Sequence, residues 1–149
     1  MFDARVLICM DDGCFDLLPR KAYPDDAAYD LFSSIDFRIY FNQVVAIPVG
    51  FKMQLEKGWQ AEIRPRSGLA LKNGIFVVNS PGTIDSGYRG PVKVILKYTG
   101  INGIKDDPPF FEIRKGDRIA QMMIQRVPIV ELIQVSSLEE SSRGTGGFG

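Results

Sequence analysis

Polar and apolar positions alternate with a period of two over most of the chain, the pattern of strands that bury one face. Phe51, Met53 and Leu55 alternate with Lys52, Gln54 and Glu56, and Gly58 then turns the chain. Trp59, Ala61 and Ile63 alternate in the same way with Gln60, Glu62 and Arg64, so the two runs together predict a hairpin. Further strands are predicted at Ala4 to Met10, Phe37 to Phe41, Gln43 to Val49, Ile75 to Val78, Val92 to Tyr98, Phe110 to Ile113, Ile119 to Arg126 and Ile129 to Val135. Pro or Gly punctuates nearly every gap between them. No long window keeps apolar residues three and four apart, so long helices are not expected. One short helical turn is predicted from Ser67 to Lys72, with Ser67 as its N-cap and Asn73-Gly74 closing it. Many short strands divided by turns describe an all-β barrel or sandwich, of which a distorted jelly roll is one form. The low-complexity end, Ser136 to Gly149, is expected to be a mobile tail after a single domain over residues 1–135.

Composition narrows the chemistry. At 149 residues, 45% of them hydrophobic, the chain suffices for one domain with a real core. It contains 0 histidines, which excludes a Ser/His/Asp triad, a Cys/His pair and any His-ligated metal site. Carboxylates, Lys, Tyr and Cys remain as proton carriers. Lys and Arg total 18 and Asp and Glu total 18, a balance that argues against sequence-independent nucleic-acid binding. Cys9 and Cys14 are too few for a thiolate zinc site or a secreted disulfide scaffold. A reduced, intracellular and most simply cytoplasmic protein is expected. No apolar run is long enough for a membrane span, since Val44 to Ile47 meets Pro48 and Gly50, and Met1-Phe2-Asp3 does not begin a signal peptide.

Four segments, two acid pairs and the single Asp30 stand out as candidate chemistry. Arg64-Pro65-Arg66-Ser67-Gly68 sets two guanidinium groups and a hydroxyl before the helical turn, a combination suited to phosphate, though an exposed strand end with solvated arginines would read the same. Gly82 to Gly90 holds an acid, an aromatic ring and a base within one glycine-rich loop, which could approach a ligand closely or serve as a plain turn. Lys115 to Gln121 reads as a turn entering a strand. Arg143 and Phe148 lie in a glycine-rich tail that could close as a flap over phosphate and base. Asp25-Asp26 and Asp106-Asp107 read as solvated loop charges, and Asp30 is ambiguous taken alone.

In this order, the segments resemble the five motifs of the all-β, homotrimeric dUTPase family. Ala27-Ala28-Tyr29-Asp30-Leu31 resembles the first, Pro65 to Ala70 the second, Gly82 to Gly90 the third, Gly116-Asp117-Arg118-Ile119-Ala120-Gln121 the fourth and Arg143 to Gly149 the fifth. The resemblance implies a homotrimer whose active sites draw on all three subunits, with dUTP as substrate and Mg²⁺ carried mainly by its phosphates. Neither a nucleic-acid nor a membrane partner is implied. Asp85 matches the carboxylate that activates the attacking water, and Tyr88 the ring that packs on the deoxyribose and leaves no room for a 2′-hydroxyl. Asn79 matches an amide that reads the uracil edge, with the backbone of Gly82, Thr83 and Ile84 completing the base pocket. Arg66, Ser67, Gly68 and Gln121 match phosphate-contacting positions, Asp30 an acid near the hydrated magnesium, and Arg143 with Phe148 the closing flap.

Departures from the family pattern are few. Ala28 stands where the first motif usually has Gly, Gly87 replaces an acid before the motif tyrosine, and the sequence stops at Gly149 where the family commonly continues with Ser/Thr and Gly. A shortened tail would be expected to close less completely. Ile101 to Pro109 reads as a longer loop than a compact member needs. The related dCTP deaminases carry a catalytic glutamate on the strand after the third motif, where this chain has Val92-Lys93-Val94-Ile95-Leu96-Lys97 and no acid. A nonenzymatic trimer that keeps the pocket as a regulatory surface is the other alternative, and the intact set of Arg66, Ser67, Asp85 and Tyr88 weighs against it.

Overall fold

The computed structural model describes residues 2–100 and 109–148. In chain order it contains strands β1 (Val6–Met10), β2 (Tyr29–Phe32), β3 (Phe37–Tyr40), β4 (Val44–Pro48), β5 (Phe51–Leu55) and β6 (Trp59–Arg64), then helix α1 (Ser67–Asn73), and finally β7 (Ile75–Val77), β8 (Gly82–Ile84), β9 (Lys93–Tyr98), β10 (Phe110–Ile113) and β11 (Arg118–Arg126). A single 3₁₀ turn covers Phe15–Leu17. The class is all-β, as the alternation requires. Pairing is antiparallel throughout and divides among four sheets, ordered β1-β5, β10-β3, β2-β11-β6-β8 and β4-β9-β7. Among the described residues these ladders do not close into one continuous barrel.

The alternation translates directly into a core. Phe51, Met53 and Leu55 of β5 are buried, as are Ala61 and Ile63 of β6 and Val94, Leu96 and Tyr98 of β9. They pack with Leu31, Ile39, Ile47, Ile75, Val77, Ile113, Ile119, Ala120 and Met122 into one cluster. Ile119 and Ala120 are consecutive yet both buried, because a register shift between Arg118 and Ala120 turns two neighbouring residues to the same side. Cys14, Leu17 and Phe32 form a smaller cluster, with Met10 packed against it. Gly50, at φ +78°, joins β4 to β5 against that cluster, and a Cβ there would lie 2.8 Å from Cys14 Cβ and Sγ.

Several local expectations change. The runs 51–55 and 59–64 are both strands, but they do not form a hairpin ladder. β5 pairs with β1, and β6 with β11 and β8, so Gly58 turns the chain between two different sheets. β2 and β8 were not expected as strands; each is short and sits in motif sequence without clean alternation. Residues 129–135, expected as a strand, have no regular structure, and Ile129, Val130, Leu132 and Ile133 are 72–102% exposed. A strand needs a partner for its backbone, and among the described residues none pairs with that segment. The helix starts one residue earlier than expected: Arg66, not Ser67, is its N-cap with extended backbone, and Ser67 is its first residue. Gly74 closes it in the left-handed conformation, as expected. Except for Pro109, the expected long loop Ile101 to Pro109 lies outside the described residues. No helix among the described residues is long and apolar enough to cross a membrane.

Candidate active site

The four-stranded sheet has one face in the core and an outer face that is almost wholly polar. Register sets this face: Asp30 opposes Gln121, Gln121 opposes Arg64, Met123 opposes Glu62, and Glu62 opposes Thr83. At the end where β6 passes through Pro65 and Arg66 into α1, the face opens into a depression of about 500 Å³. Asp30, Arg64, Arg66, Ser67, Gly68, Arg118 and Gln121 line it, with Asp26 and Tyr23 at its edge.

A carboxylate holds its cations in place. Arg66 Nε donates to Asp30 Oδ1 at 3.2 Å, and Arg118 Nη1 to Asp30 Oδ2 at 3.4 Å, while the Asp30 side chain is only 15% exposed. Gln121 Nε2 donates to the Pro65 carbonyl at 2.9 Å and so fastens β11 to the turn that presents Arg66 and Ser67. Arg64 is held apart from these, with Nη2 on Glu62 Oε2 at 2.6 Å. The turn before β11 is equally fixed. Asp117 Oδ2 accepts from the Arg114 backbone N–H at 2.8 Å, and Gly116 N–H donates to the Ser33 carbonyl at 2.8 Å. Arg114 also donates to Glu112, a contact that raises its pKa above the usual guanidinium value.

Asp85 and Tyr88 lie elsewhere on the chain. They line a separate depression of about 310 Å³ with Thr83, Ile84, Pro91, Val92 and Lys93. Ile84 pairs with Ala61, so Asp85 falls level with Gln60. Arg66 is six residues further along the neighbouring segment, which spans at most about 20 Å at ~3.3 Å per residue. Asp85 is exposed, and Tyr88 N–H donates to its carbonyl at 3.1 Å, closing a tight turn. The loop is not a hairpin between β8 and β9, because β8 pairs with β6 while β9 pairs with β4 and β7. Tyr88 folds back over Gly90, its hydroxyl donating to the Pro91 carbonyl at 3.1 Å. Gly82 is needed for a close approach: a Cβ there would stand 3.0 Å from Nδ2 of Asn79, whose amide rests against it.

The structure therefore brings together Asp30, Arg66, Ser67, Gly68 and Gln121 in one cavity, and Thr83, Ile84, Asp85 and Tyr88 in another. Asn79 rests against Gly82 at the start of β8, and the two line neither. Arg143 and Phe148 also line neither. The tail curls on itself, with Arg143 Nε on the Gly146 carbonyl at 2.8 Å, and Phe148 is fully exposed. Arg118 was missed as a site residue. The signal was its position within the fourth-motif segment, but its charge reads as a solvated strand end until Asp30 is seen across from it.

Comparisons with known proteins identify the family and the fold. The sequence matches the dUTPase family over residues 17–149. It is 48% identical over 140 residues to the deoxyuridine 5′-triphosphate nucleotidohydrolase of Clostridium acetobutylicum, spanning 94% of this chain and 90% of that one. The fold superposes on a Staphylococcus bacteriophage 80alpha dUTPase solved with dUpNHpp at a TM-score of 0.84, with 23% identity, covering 97% of this chain and 96% of that chain. It also superposes on the dUTPase of Staphylococcus aureus phage phi11, solved with a structural Mg(II) ion, at a TM-score of 0.80 and 21% identity, covering 91% of this chain and 99% of that chain. On the extent of the family match and the identity to its curated relative, the chain belongs to the dUTPase family, enzymes that hydrolyse dUTP to dUMP.

Proposed function

We propose that this chain hydrolyses dUTP by attack of water on the α-phosphorus, in a homotrimer whose sites are assembled from different subunits. The observation that carries this reading is the separation of two complementary half-sites on one chain. One is a cationic cavity with Arg66, Arg118, Ser67, Gly68 and Gln121, and the other is a depression with Asp85 and Tyr88 that shares no lining residue with it, at a distance of up to about 20 Å on the rise of an extended strand. That span is too long for one carboxylate to act on a phosphate held by the other half, whereas a second subunit can bring its Asp85 to the first subunit's cavity. The exposed apolar residues from Ile129 to Ile133 favour the same assembly, since in a trimer they gain a surface to cover them.

Arg66, Ser67 and Gln121 bind the triphosphate, helped by the first N–H groups of α1, which have no partner within the helix. Asn79 and the backbone of Gly82, Thr83 and Ile84 read uracil, and Tyr88 packs on the deoxyribose. Asp85 takes the proton of the attacking water as its oxygen bonds to the α-phosphorus, and the bond from that phosphorus to the bridging oxygen breaks to release pyrophosphate. A carboxylate is ionised at neutral pH but is a weak base, so the rate comes largely from orientation and from neutralising charge on the phosphates.

Mg²⁺ fits this cavity as an ion carried by the substrate. Both oxygens of Asp30 are already engaged by guanidinium groups, so Asp30 and the neighbouring Asp26 are suited to holding its hydration shell rather than binding it directly. When bound, the ion neutralises charge on the leaving phosphates. Residues 136–149 form the flap that closes Arg143 on phosphate and Phe148 on the base. The reaction takes place inside the cell, where it keeps uracil out of DNA and supplies dUMP for thymidylate synthesis.

Hydrolysis in ¹⁸O-water tests the chemistry. Attack at the α-phosphorus puts the label in dUMP. Label in pyrophosphate would overturn that assignment.

A further inference from the structure

Beside the phosphate cavity lies a second depression of about 390 Å³, lined by Arg20, Lys21, Ala22, Asp30, Phe32, Gly116, Asp117 and Arg118. The two share Ala22, Asp30 and Arg118, so they adjoin. Both acids in the second depression are occupied: Asp30 by Arg66 and Arg118, and Asp117 by the Arg114 backbone. Its three cations, Arg20, Lys21 and Arg118, still outnumber the two acids, and of the three Arg118 is the one paired with Asp30. Arg20 is held in place, its guanidinium 4.1 Å above the Phe32 ring and Nη1 donating to the Asp16 carbonyl at 3.1 Å. Lys21 lies 5.2 Å above the Tyr29 ring. Among the described residues neither makes an ion pair with an acidic side chain.

Glu139 and Glu140 of the tail are fully compatible partners, exposed and likewise without an ion pair among the described residues. We propose that Glu139 and Glu140 of a second copy dock on the Arg20–Lys21 rim and so guide that copy's tail into the closed position. This rests on the reading of residues 136–149 as the flap. If Arg143 meets phosphate and Phe148 the base, chain order places residues 139 and 140 on the side of Arg143 away from the base, and the rim adjoins the phosphate cavity. They precede Arg143 by four and three residues, a reach of about 10–14 Å in extended chain. The rim thus selects the tail by charge before substrate contacts fix it, a steering role that should weaken as salt rises.

The test is a charge exchange in the full-length protein. Glu139→Lys with Glu140→Lys, and separately Arg20→Glu with Lys21→Glu, should each raise KM for dUTP about five- to tenfold at low salt, the scale of two exposed ion pairs. At saturating dUTP, kcat should change little. Combining all four substitutions should restore KM to within about twofold of the parent. The sign is diagnostic, because removing acids that merely sat near a triphosphate would lower KM. Since Arg20 also stacks on Phe32, the pair Lys21→Glu and Glu140→Lys repeats the exchange without touching it. Phe148→Ala, measured alongside, separates the two readings. If it impairs catalysis while the charge variants leave KM unchanged or the exchange fails to restore it, docking on the rim is overturned and the flap stands. If Phe148→Ala has no effect, the flap reading fails and the docking proposal falls with it.

Discussion

Asp30→Asn isolates what the carboxylate between Arg66 and Arg118 does. The substitution keeps the shape and one acceptor but removes the charge, and it turns an NH₂ group toward a guanidinium that can only donate. The bond to Arg66 joins two largely buried side chains, 15% and 26% exposed, so its loss should cost about 1.5–3 kcal/mol. The contact with Arg118 contributes less, about 0.2–1 kcal/mol, because that side chain is 50% exposed. Together the loss is about 2–4 kcal/mol, which in a domain of this size should lower Tm by roughly 4–16 °C. A triphosphate supplies negative charge where Asp30 has lost it, so dUpNHpp should raise the Tm of the variant more than that of the parent. With Arg66 no longer held, kcat/KM should fall about 10- to 100-fold. Differential scanning fluorimetry with and without dUpNHpp, together with a pyrophosphate-release assay, measures both effects. An unchanged Tm together with kcat/KM within twofold of the parent would refute the clamp. A loss of activity with unchanged Tm, reversed by excess Mg²⁺, would instead assign Asp30 to the metal's hydration shell.

The other outcomes follow from the same geometry. Asp85→Asn should lower kcat by about 10² to 10⁴ while dUpNHpp binding by calorimetry holds or tightens slightly, since the base is lost but the phosphate cavity is untouched. Light scattering at micromolar protein should give three chains per particle, and a fully active monomer would contradict the shared site. UTP should be a poor substrate in kcat/KM comparisons, and Tyr88→Ala should narrow the gap between UTP and dUTP if the ring excludes the 2′-hydroxyl. Gly50→Ala should destabilise by about 2–5 kcal/mol in denaturant titration, combining the strain of φ +78° with a Cβ only 2.8 Å from Cys14. Its activity per folded protein should be unchanged, because Gly50 lies in neither half-site.

Strand positions were legible wherever burial is one-sided, because period-two alternation is a local property of the chain. β5 and β6 could be placed from Phe51, Met53, Leu55, Ala61 and Ile63 alone. Their partners could not, since β1 and β11 are distant in sequence and the alternation of one strand says nothing of which other strand it meets. β2 and β8 escaped for a related reason: Leu31 and Phe32 are adjacent and both buried, and Gly82 has no side chain to mark its face. At the site, residue chemistry pointed to Arg66, Ser67, Asp85 and Tyr88, and the order of the motifs gave them roles by resemblance. The sequence by itself thus determined which short segments are strands, which side of each is buried and which residue types the chemistry uses. Only the tertiary structure decided that Asp30 grips Arg66 and Arg118 across 36 and 88 residues of chain, and that Asp85 stands apart from them. Such contacts depend on how strands are registered across a sheet, and registry is a property of the packed whole that no single segment encodes.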